Sequence, residues 1–133
     1  MTVVVDASVV VAALIDSGPT GTWADALLDG DDLAAPHLMQ VEAANILRRC
    51  EITGAVEKDT AVLAHADLLA LRVARFPYDP FADRVWELRH NLTAYDALYV
   101  AVAEALGADL ATLDRRLASA TGPRCGFLVP PTA

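Results

Sequence analysis

The chain has 133 residues, of which 55% are hydrophobic, and a formal net charge of −8. Its length predicts one domain, residues 1–133, and its apolar content excludes a chain that is mainly disordered. The surplus of acidic residues argues against broad, nonspecific nucleic-acid binding, which needs a basic face. It leaves open a local site that binds a cation and, through that cation, a phosphate.

The sequence carries no sign of a membrane span or an export signal. Its most apolar early stretch, residues 9–15, is much shorter than the ~20 residues that a span needs. No Lys or Arg precedes Arg48, whereas a signal peptide begins with basic residues. We therefore expect a cytoplasmic protein without membrane association, in which Cys50 and Cys125 remain reduced thiols.

The first half of the chain alternates short strands with helices. The β-branched run at 3–5 predicts a buried strand, and the unbroken segment 7–14 after it predicts a helix. Gly18 and Pro19 predict a break, followed by a helix over 22–28 and a short strand over 33–35.

The middle of the chain is mainly helical. Apolar residues at helical spacing predict a helix over 38–50, and further helices are expected over 56–71 and 81–89. A short strand is predicted at 73–76, before a proline. The clearest helix spans 94–106 and ends at a glycine that is suited to cap it.

The last segments complete the pattern. A strand is predicted at 110–113, a short helix at 114–118 and a final strand at 126–129. Strands that alternate with helices predict a three-layer α/β/α sandwich around a mainly parallel sheet of about five short strands.

Two aspartates occupy equivalent positions in this pattern. Asp6 and Asp114 each follow a predicted strand at the point where a helix begins. Ligands bind at this edge of parallel α/β sheets, so both residues are candidates for a functional site. Each is also a suitable helix N-cap, which is the simpler interpretation of either residue alone.

Glu42 and Asp96 are less easily explained by local structure. Glu42 has no basic neighbour one helical turn away and borders the apolar stripe of its helix. Such a carboxylate is costly unless it points into water or meets a cation. Asp96 follows Thr93 at the spacing of a capping box, but its neighbours are largely apolar.

The four acids have a common explanation if they converge. Two unit charges at ~4 Å repel by about 4 kcal/mol at an effective dielectric of 20, which is large beside a total stability of ~5–15 kcal/mol. A cluster of this kind needs a divalent cation or raised pKa values. A set of oxygen ligands favours Mg²⁺ or Mn²⁺ over zinc.

Four segments carry distinctive motifs: VVVDAS at 3–8, VEAANILRR at 41–49, LTAYDALYVAVA at 92–103 and LATLDRRL at 110–117. Together they resemble the PIN-domain ribonucleases, specifically the VapC-type toxins of bacterial toxin–antitoxin systems. The third segment is the most specific, and the resemblance covers essentially the whole chain.

The resemblance implies a catalytic and metal-binding quartet of Asp6, Glu42, Asp96 and Asp114. It also places the small hydroxyl residues of the family, less firmly, at Ser8 and Thr112. Some members carry a further acid two or three residues after the last one, where this chain has Arg116 and Leu117. That departure argues against a second, tightly held metal ion.

The resemblance further implies Mg²⁺- or Mn²⁺-dependent endonucleolytic cleavage of RNA. It implies a homodimer whose partner is a small VapB-type antitoxin. The basic residues that follow two of the acids are candidates for contact with RNA or antitoxin, namely Arg48, Arg49, Arg115 and Arg116. The alternative function is a non-catalytic α/β domain that sequesters a partner protein or RNA, with its acids serving as helix caps.

Aromatic residues are interpreted first as packing residues. Tyr95 and Tyr99 are able to stack on bases, but their helical spacing favours core or dimer contacts. Trp23 and Trp86 lie on predicted amphipathic helices, so we expect both to pack.

Overall fold

The computed structural model describes residues 1–132 and confirms the predicted architecture. Its five strands form one sheet in the order β3-β2-β1-β4-β5, and every neighbouring pair is parallel. The strands are β1 (Thr2–Val5), β2 (Asp32–Pro36), β3 (Ala74–Phe76), β4 (Asp109–Ala111) and β5 (Phe127–Leu128). The sheet is the middle layer of the sandwich.

Within residues 1–132, seven α-helices connect the strands, together with one 3₁₀ turn at Asp79–Phe81. The helices are α1 (Ala7–Ile15), α2 (Pro19–Gly30), α3 (Leu38–Ile52), α4 (Lys58–Ala70), α5 (Ala82–Glu87), α6 (Ala94–Leu106) and α7 (Arg115–Ala118). Helix α1 packs on α2, α3 and α4, whereas α6 packs across β1, β2 and β4 and against α5. Because crossovers between parallel strands are right-handed, the reversal of strand order after β3 puts these two groups of helices on opposite faces of the sheet.

The core is centred on β1 and α6. Val3, Val4 and Val5 are fully buried because β1 is the middle strand and is covered on both faces. Helix α6 is buried through consecutive residues from Ala97 to Ala103, so it is a central helix and not an amphipathic surface helix. It ends at Gly107, which adopts the left-handed conformation expected of a C-terminal cap.

Most predicted boundaries differ from the structure by one to three residues, and two of these differences have identifiable reasons. Helix α2 begins at Pro19 and not at residue 22, because Gly18 is its N-cap and proline is favoured in the first helical position. Strand β4 ends at Ala111, before Thr112 and Leu113. The chain leaves the sheet there, and Asp114 then caps α7.

The prediction that Trp86 is a packing residue is wrong. Its side chain is 65% exposed on α5, and the guanidinium of Arg89 lies 4.7 Å from the ring centroid. Trp23 does pack against the core. Cys50 and Cys125 are free thiols. Across residues 1–132, every helix is too short or too polar to cross a membrane.

Candidate active site

A pocket of about 280 Å³ lies at the carboxyl edge of the sheet, and all four predicted acids line it. Strand order reverses between β1 and β4, since β2 and β3 follow on one side and β5 on the other. The crevice at such a reversal is where α/β sheets bind ligands. Asp6 follows β1 and Asp114 follows β4, while Asp96 lies on the first turn of α6 and Glu42 begins the second turn of α3.

Asp6 is held in place by several hydrogen bonds. Its Oδ1 accepts from the Ser8 hydroxyl at 2.5 Å and from the Val9 N–H at 3.1 Å, which caps α1. Its Oδ2 accepts from the Thr112 hydroxyl at 2.5 Å. Burial raises the pKa of Asp6 above its ordinary value, although these hydrogen bonds counteract the effect. The carboxylate is therefore fixed in orientation before any ligand binds.

The two hydroxyl residues also join separate parts of the chain. The Ser8 hydroxyl accepts a hydrogen bond from Leu113 N–H at 3.3 Å, and the Thr112 hydroxyl accepts one from Asp114 N–H at 3.0 Å. Thr112 is completely buried. Asp114 Oδ1 in turn accepts from the N–H groups that begin α7. Ser8 and Thr112 thus connect the segment after β1 to the segment after β4.

Glu42 has a partner that lies 57 residues away in the sequence. The Tyr99 hydroxyl donates a hydrogen bond to Oε1 of Glu42 at 2.6 Å. Tyr99 is 2% exposed, and burial together with this hydrogen bond raises its pKa far above the usual value. The hydroxyl therefore stays protonated and donates to Glu42. This hydrogen bond orients Glu42 through Oε1 and leaves its Oε2 available to the pocket.

Neighbouring carboxylates help to raise the pKa values of two of the acids, Glu42 and Asp96. Burial raises the pKa of Glu42, and the charges of Asp6 and Asp96 raise it further. Burial raises the pKa of Asp96, with added contributions from Asp114 and Asp6. The four carboxylates thus lie close enough to influence one another, and a cation in the pocket would relieve that repulsion.

The donor chemistry of the pocket fits a hard divalent cation. An ionised carboxylate offers about four acceptor positions, and Asp6 uses three of them. Asp114 uses Oδ1 in capping α7 and retains Oδ2. Within residues 1–132, however, no three His, Cys, Asp or Glu side chains already form a metal-binding group. The fit therefore lies in the oxygen donors and their charge, not in a preassembled ligand cage.

The four candidate arginines are not brought together. Arg49 lines the acidic pocket, and Arg48 lines a different groove between α3 and α4. The Arg115 guanidinium donates to the carbonyl oxygen of Pro130, and the Arg116 side chain is exposed on α7. Of the four residues, Arg49 is thus the one placed to meet a ligand in the pocket.

Sequence reasoning missed Asn45 and the role of Tyr99. Glu42, Asn45 and Arg49 lie along one face of α3 and all line the pocket. Their spacing of three and seven residues was a usable signal, because such positions share a helix face. The partnership of Tyr99 with Glu42 joins two helices and left no local signal.

Comparison with known proteins agrees with this geometry. The PIN domain family matches residues 3–123. The chain belongs to the PIN-domain family.

Relatives narrow this assignment. Ribonuclease VapC1 of Mycobacterium tuberculosis is 42% identical over 123 residues, which cover 92% of both chains. Ribonuclease VapC9 of the same species is 39% identical over 129 residues, covering 97% of this chain and 98% of the relative. Within its family, the chain is of the VapC type.

Solved structures share the fold. PAE2754 from Pyrobaculum aerophilum is 28% identical with a TM-score of 0.70, and the match covers 96% of this chain and 83% of that one. VapBC2 from Rickettsia felis, solved with a promoter DNA fragment, has a TM-score of 0.63 at 14% identity, covering 97% and 98% of the two chains. At that identity the second match supports the fold alone.

Proposed function

We propose that this protein is a Mg²⁺- or Mn²⁺-dependent endoribonuclease and the toxin of a toxin–antitoxin pair. The observation that carries the proposal is the convergence of Asp6, Glu42, Asp96 and Asp114 on one pocket at the reversal of the sheet. The ribonuclease names of its VapC relatives point to the same reaction.

The pocket residues divide into ligands and supports. Asp6 and Asp96 are proposed to hold the ion directly, with Glu42 and Asp114 acting through water. When bound, the ion lowers the pKa of a water molecule and polarises the scissile phosphate. Glu42, oriented by Tyr99, is suited to position the attacking water through its free Oε2. Ser8 and Thr112 hold Asp6 in place.

Arg49 is proposed to bind the RNA backbone. It is the basic residue on the wall of a pocket whose four carboxylates repel phosphate. A guanidinium there offers paired donors to a phosphate oxygen and adds positive charge where the local field is negative.

The toxin role implies a protein partner. Structures similar to this one include VapBC2 from Rickettsia felis and FitAB bound to a DNA fragment. We propose a VapB-type antitoxin as the partner and a homodimer as the assembly.

The alternative is a binding domain whose acids only cap helices. Asp6, Thr93 and Asp114 do cap α1, α6 and α7. Capping accounts neither for Glu42 nor for the placement of Asp96 against Asp6 and Asp114. Metal dependence separates the two functions, because capping groups gain nothing from a divalent cation.

The test is cleavage of a mixed RNA pool with Mg²⁺, with Mn²⁺ and with EDTA. We expect metal-dependent cleavage that Asp6→Asn and Asp96→Asn abolish. Asp25→Asn is the matched control, because Asp25 is an exposed acid on α2 outside the pocket. Undiminished cleavage by Asp6→Asn would refute the assignment. No cleavage and no rise in melting temperature with Mn²⁺ would favour the binding domain.

A further inference from the structure

A second pocket lies beside the acidic pocket and has the opposite chemistry. It measures about 300 Å³ and is lined mainly by aromatic and aliphatic side chains: His37, Leu38, Phe76, Tyr78, Tyr95 and Leu98. No Asp, Glu, Lys or Arg is among the described residues that line it. We call it the aromatic pocket.

The two pockets share walls. On α6, Tyr95 and Leu98 line the aromatic pocket, whereas Asp96 and Tyr99 line the acidic pocket. Successive residues of a helix are ~100° apart, so the first turns of α6 form a partition between the pockets. On α3, Leu38 lines one pocket and Glu42, one turn later, lines the other. A ligand held in one pocket is therefore within one helical turn of the other.

The aromatic pocket is open and its rings are accessible. Tyr95 is 61% exposed and Tyr78 is 47% exposed. Behind them, Phe76 packs edge-on against Phe81 with ring centroids 6.1 Å apart, and His37 N–H bonds to the Phe76 carbonyl oxygen at 2.9 Å. The floor is thus fixed by β3 and the start of α3, while exposed tyrosine rings form the rim.

We propose that the aromatic pocket binds an unpaired nucleobase of the RNA whose phosphate enters the acidic pocket. This inference rests on the proposed function and specifies its substrate class. RNA is an anion, so the four carboxylates of the acidic pocket do not attract it by themselves. A base has flat apolar faces and polar edges, which suit tyrosine rings with hydroxyl tips. Stacking of this kind tolerates any base and is available only where the base is unpaired.

A second copy of the chain is the competing occupant. A stable interface buries about 800 Å² and involves about 20–30 residues on each partner, whereas only seven of the described residues line this pocket. Its place against the acidic pocket, on the carboxyl side of β2 and β3, also favours the substrate. The expected substrate is therefore single-stranded RNA or a loop with a base free beside the cleaved bond.

The experiment compares Tyr95→Ala with Tyr95→Phe, which keeps the ring. With a single-stranded RNA that the unmodified protein cleaves, we expect Tyr95→Ala to raise KM about tenfold and to leave kcat within twofold. A loss of that size matches one stacked base. Tyr95→Phe keeps the stacking face and loses only the hydroxyl, so it should avoid most of the rise in KM that Tyr95→Ala shows. Trp86→Ala, which removes an aromatic ring 65% exposed on α5, is the control for general loss of surface aromatics.

A second measurement varies the RNA and leaves the protein intact. Abasic substitution at each position of the same RNA should weaken binding about tenfold at one position near the cleaved bond. That substitution should also remove the difference between Tyr95→Ala and the unmodified protein. The abasic scan with the unmodified protein needs no folded variant, so it still tests for a bound base if Tyr95→Ala is unstable.

Three results would overturn the inference. An unchanged KM in Tyr95→Ala would show that no base stacks there, and uniform tolerance of abasic sites would show the same. A dimer that becomes a monomer in Tyr95→Ala, measured by light scattering, would assign the pocket to a second copy. All three results leave metal-dependent cleavage by the unmodified protein intact, whereas no cleavage by that protein refutes the proposed function and this inference with it.

Discussion

The hydroxyl of Tyr99 lies 2.6 Å from Oε1 of Glu42 and joins α6 to α3. It is the contact by which the buried central helix reaches the pocket wall formed by α3. The donor comes from a 2% exposed residue, so its position is set by core packing. The orientation of Glu42 therefore depends on the core as well as on its own helix.

Replacing Tyr99 by Phe tests this relationship. The ring remains and one hydroxyl is lost, so the core keeps its volume while Glu42 loses its donor. Hydrogen bonds to charged groups contribute about 1.5–3 kcal/mol. We expect cleavage to fall about tenfold or more, chiefly in kcat. A fall confined to KM would show that Glu42 acts in binding RNA and not in the chemical step.

Asp96→Asn is expected to stabilise the metal-free protein at pH 7. Burial, then Asp114 and Asp6, raise the pKa of Asp96 above its ordinary 3.8. The folded state therefore binds this proton more tightly than the unfolded chain. The stability that the folded state gains from protonated Asp96 is complete below pH 3.8 and is lost as pH rises through the raised pKa. We expect a melting temperature roughly 2–6 °C above wild type at pH 7, with the gain shrinking towards pH 3.8.

Added Mn²⁺ supplies the control for that experiment. It should raise the melting temperature of the wild-type protein and have a much smaller effect on Asp96→Asn. Equal stabilisation of both proteins would show that Asp96 does not contribute to metal binding.

Thr112→Val removes a buried hydroxyl at almost constant volume. That hydroxyl donates to Asp6 and accepts from Asp114 N–H, so two polar groups lose a partner. Each such loss costs about 1–3 kcal/mol. We expect a lower urea midpoint, a higher pKa of Asp6 and reduced cleavage. Thr22→Val, at an exposed position on α2, is the control and should leave the midpoint near wild type.

We expect Glu104→Gln to lower the free energy of unfolding without lowering the cleavage activity of the folded protein. Arg84 donates to both carboxylate oxygens of Glu104, at 2.7 and 3.0 Å, and also to the Gly122 carbonyl oxygen at 3.0 Å. Arg124 N–H adds a bond to Glu104 at 2.7 Å. This cluster joins α5, α6 and the segment before β5. We expect a loss of about 1.5–3 kcal/mol in unfolding free energy, with cleavage per folded molecule unchanged.

The pH dependence of that loss has the opposite sign to that of Asp96. Burial alone would raise the pKa of Glu104, but the hydrogen bonds from Arg84 and from Arg124 N–H hold it below 4.5. The stability contributed by the ionised Glu104 carboxylate is complete above pH 4.5 and disappears as pH falls through the lowered pKa. The difference between wild type and Glu104→Gln should therefore narrow in acid. A difference that is constant with pH would indicate a packing defect.

Arg49→Gln is expected to weaken RNA binding and to reduce its salt dependence. Loss of one phosphate contact lowers the slope of log affinity against log salt by about 0.7 for single strands. Arg72→Gln is the matched control, because Arg72 lies near Asp31 and Asp32 at the amino edge of the sheet. Equal slopes for wild type and Arg49→Gln would remove Arg49 from the RNA interface.

Much of the fold was predictable because local signals agreed. The β-branched run at β1 and the apolar segments at β2 and β4 indicated strands, and their alternation with helices indicated a parallel sheet. Asp6 and Asp114 were predictable as neighbours, because both follow strands that end at the same edge.

The rest depended on contacts between distant segments. Trp86 lies on a helix of six residues, too short for periodicity to show which face is buried. Local sequence does not distinguish Arg49 from Arg48, since they are adjacent and only the docking of α3 turns one towards the pocket. Tyr95 and Tyr99 share a helix, yet one is exposed and the other is buried beside Glu42.

The hydrogen bonds that connect Asp6 and Ser8 to the segment after β4 also determine how much of the chain must be synthesised before the site is able to form. Thr112 and Asp6 are 106 residues apart, and Ser8 and Leu113 are 105 apart. On the ribosome, Asp6 emerges early together with Ser8 and Val9, but Thr112 emerges only when synthesis is almost complete. A chain that terminates before β4 lacks one of the two strands that pair with β1 and lacks the Thr112 hydroxyl that binds Oδ2 of Asp6. We therefore expect fragments from interrupted translation to lack the acidic pocket, because residues on both sides of β4 are needed to form it.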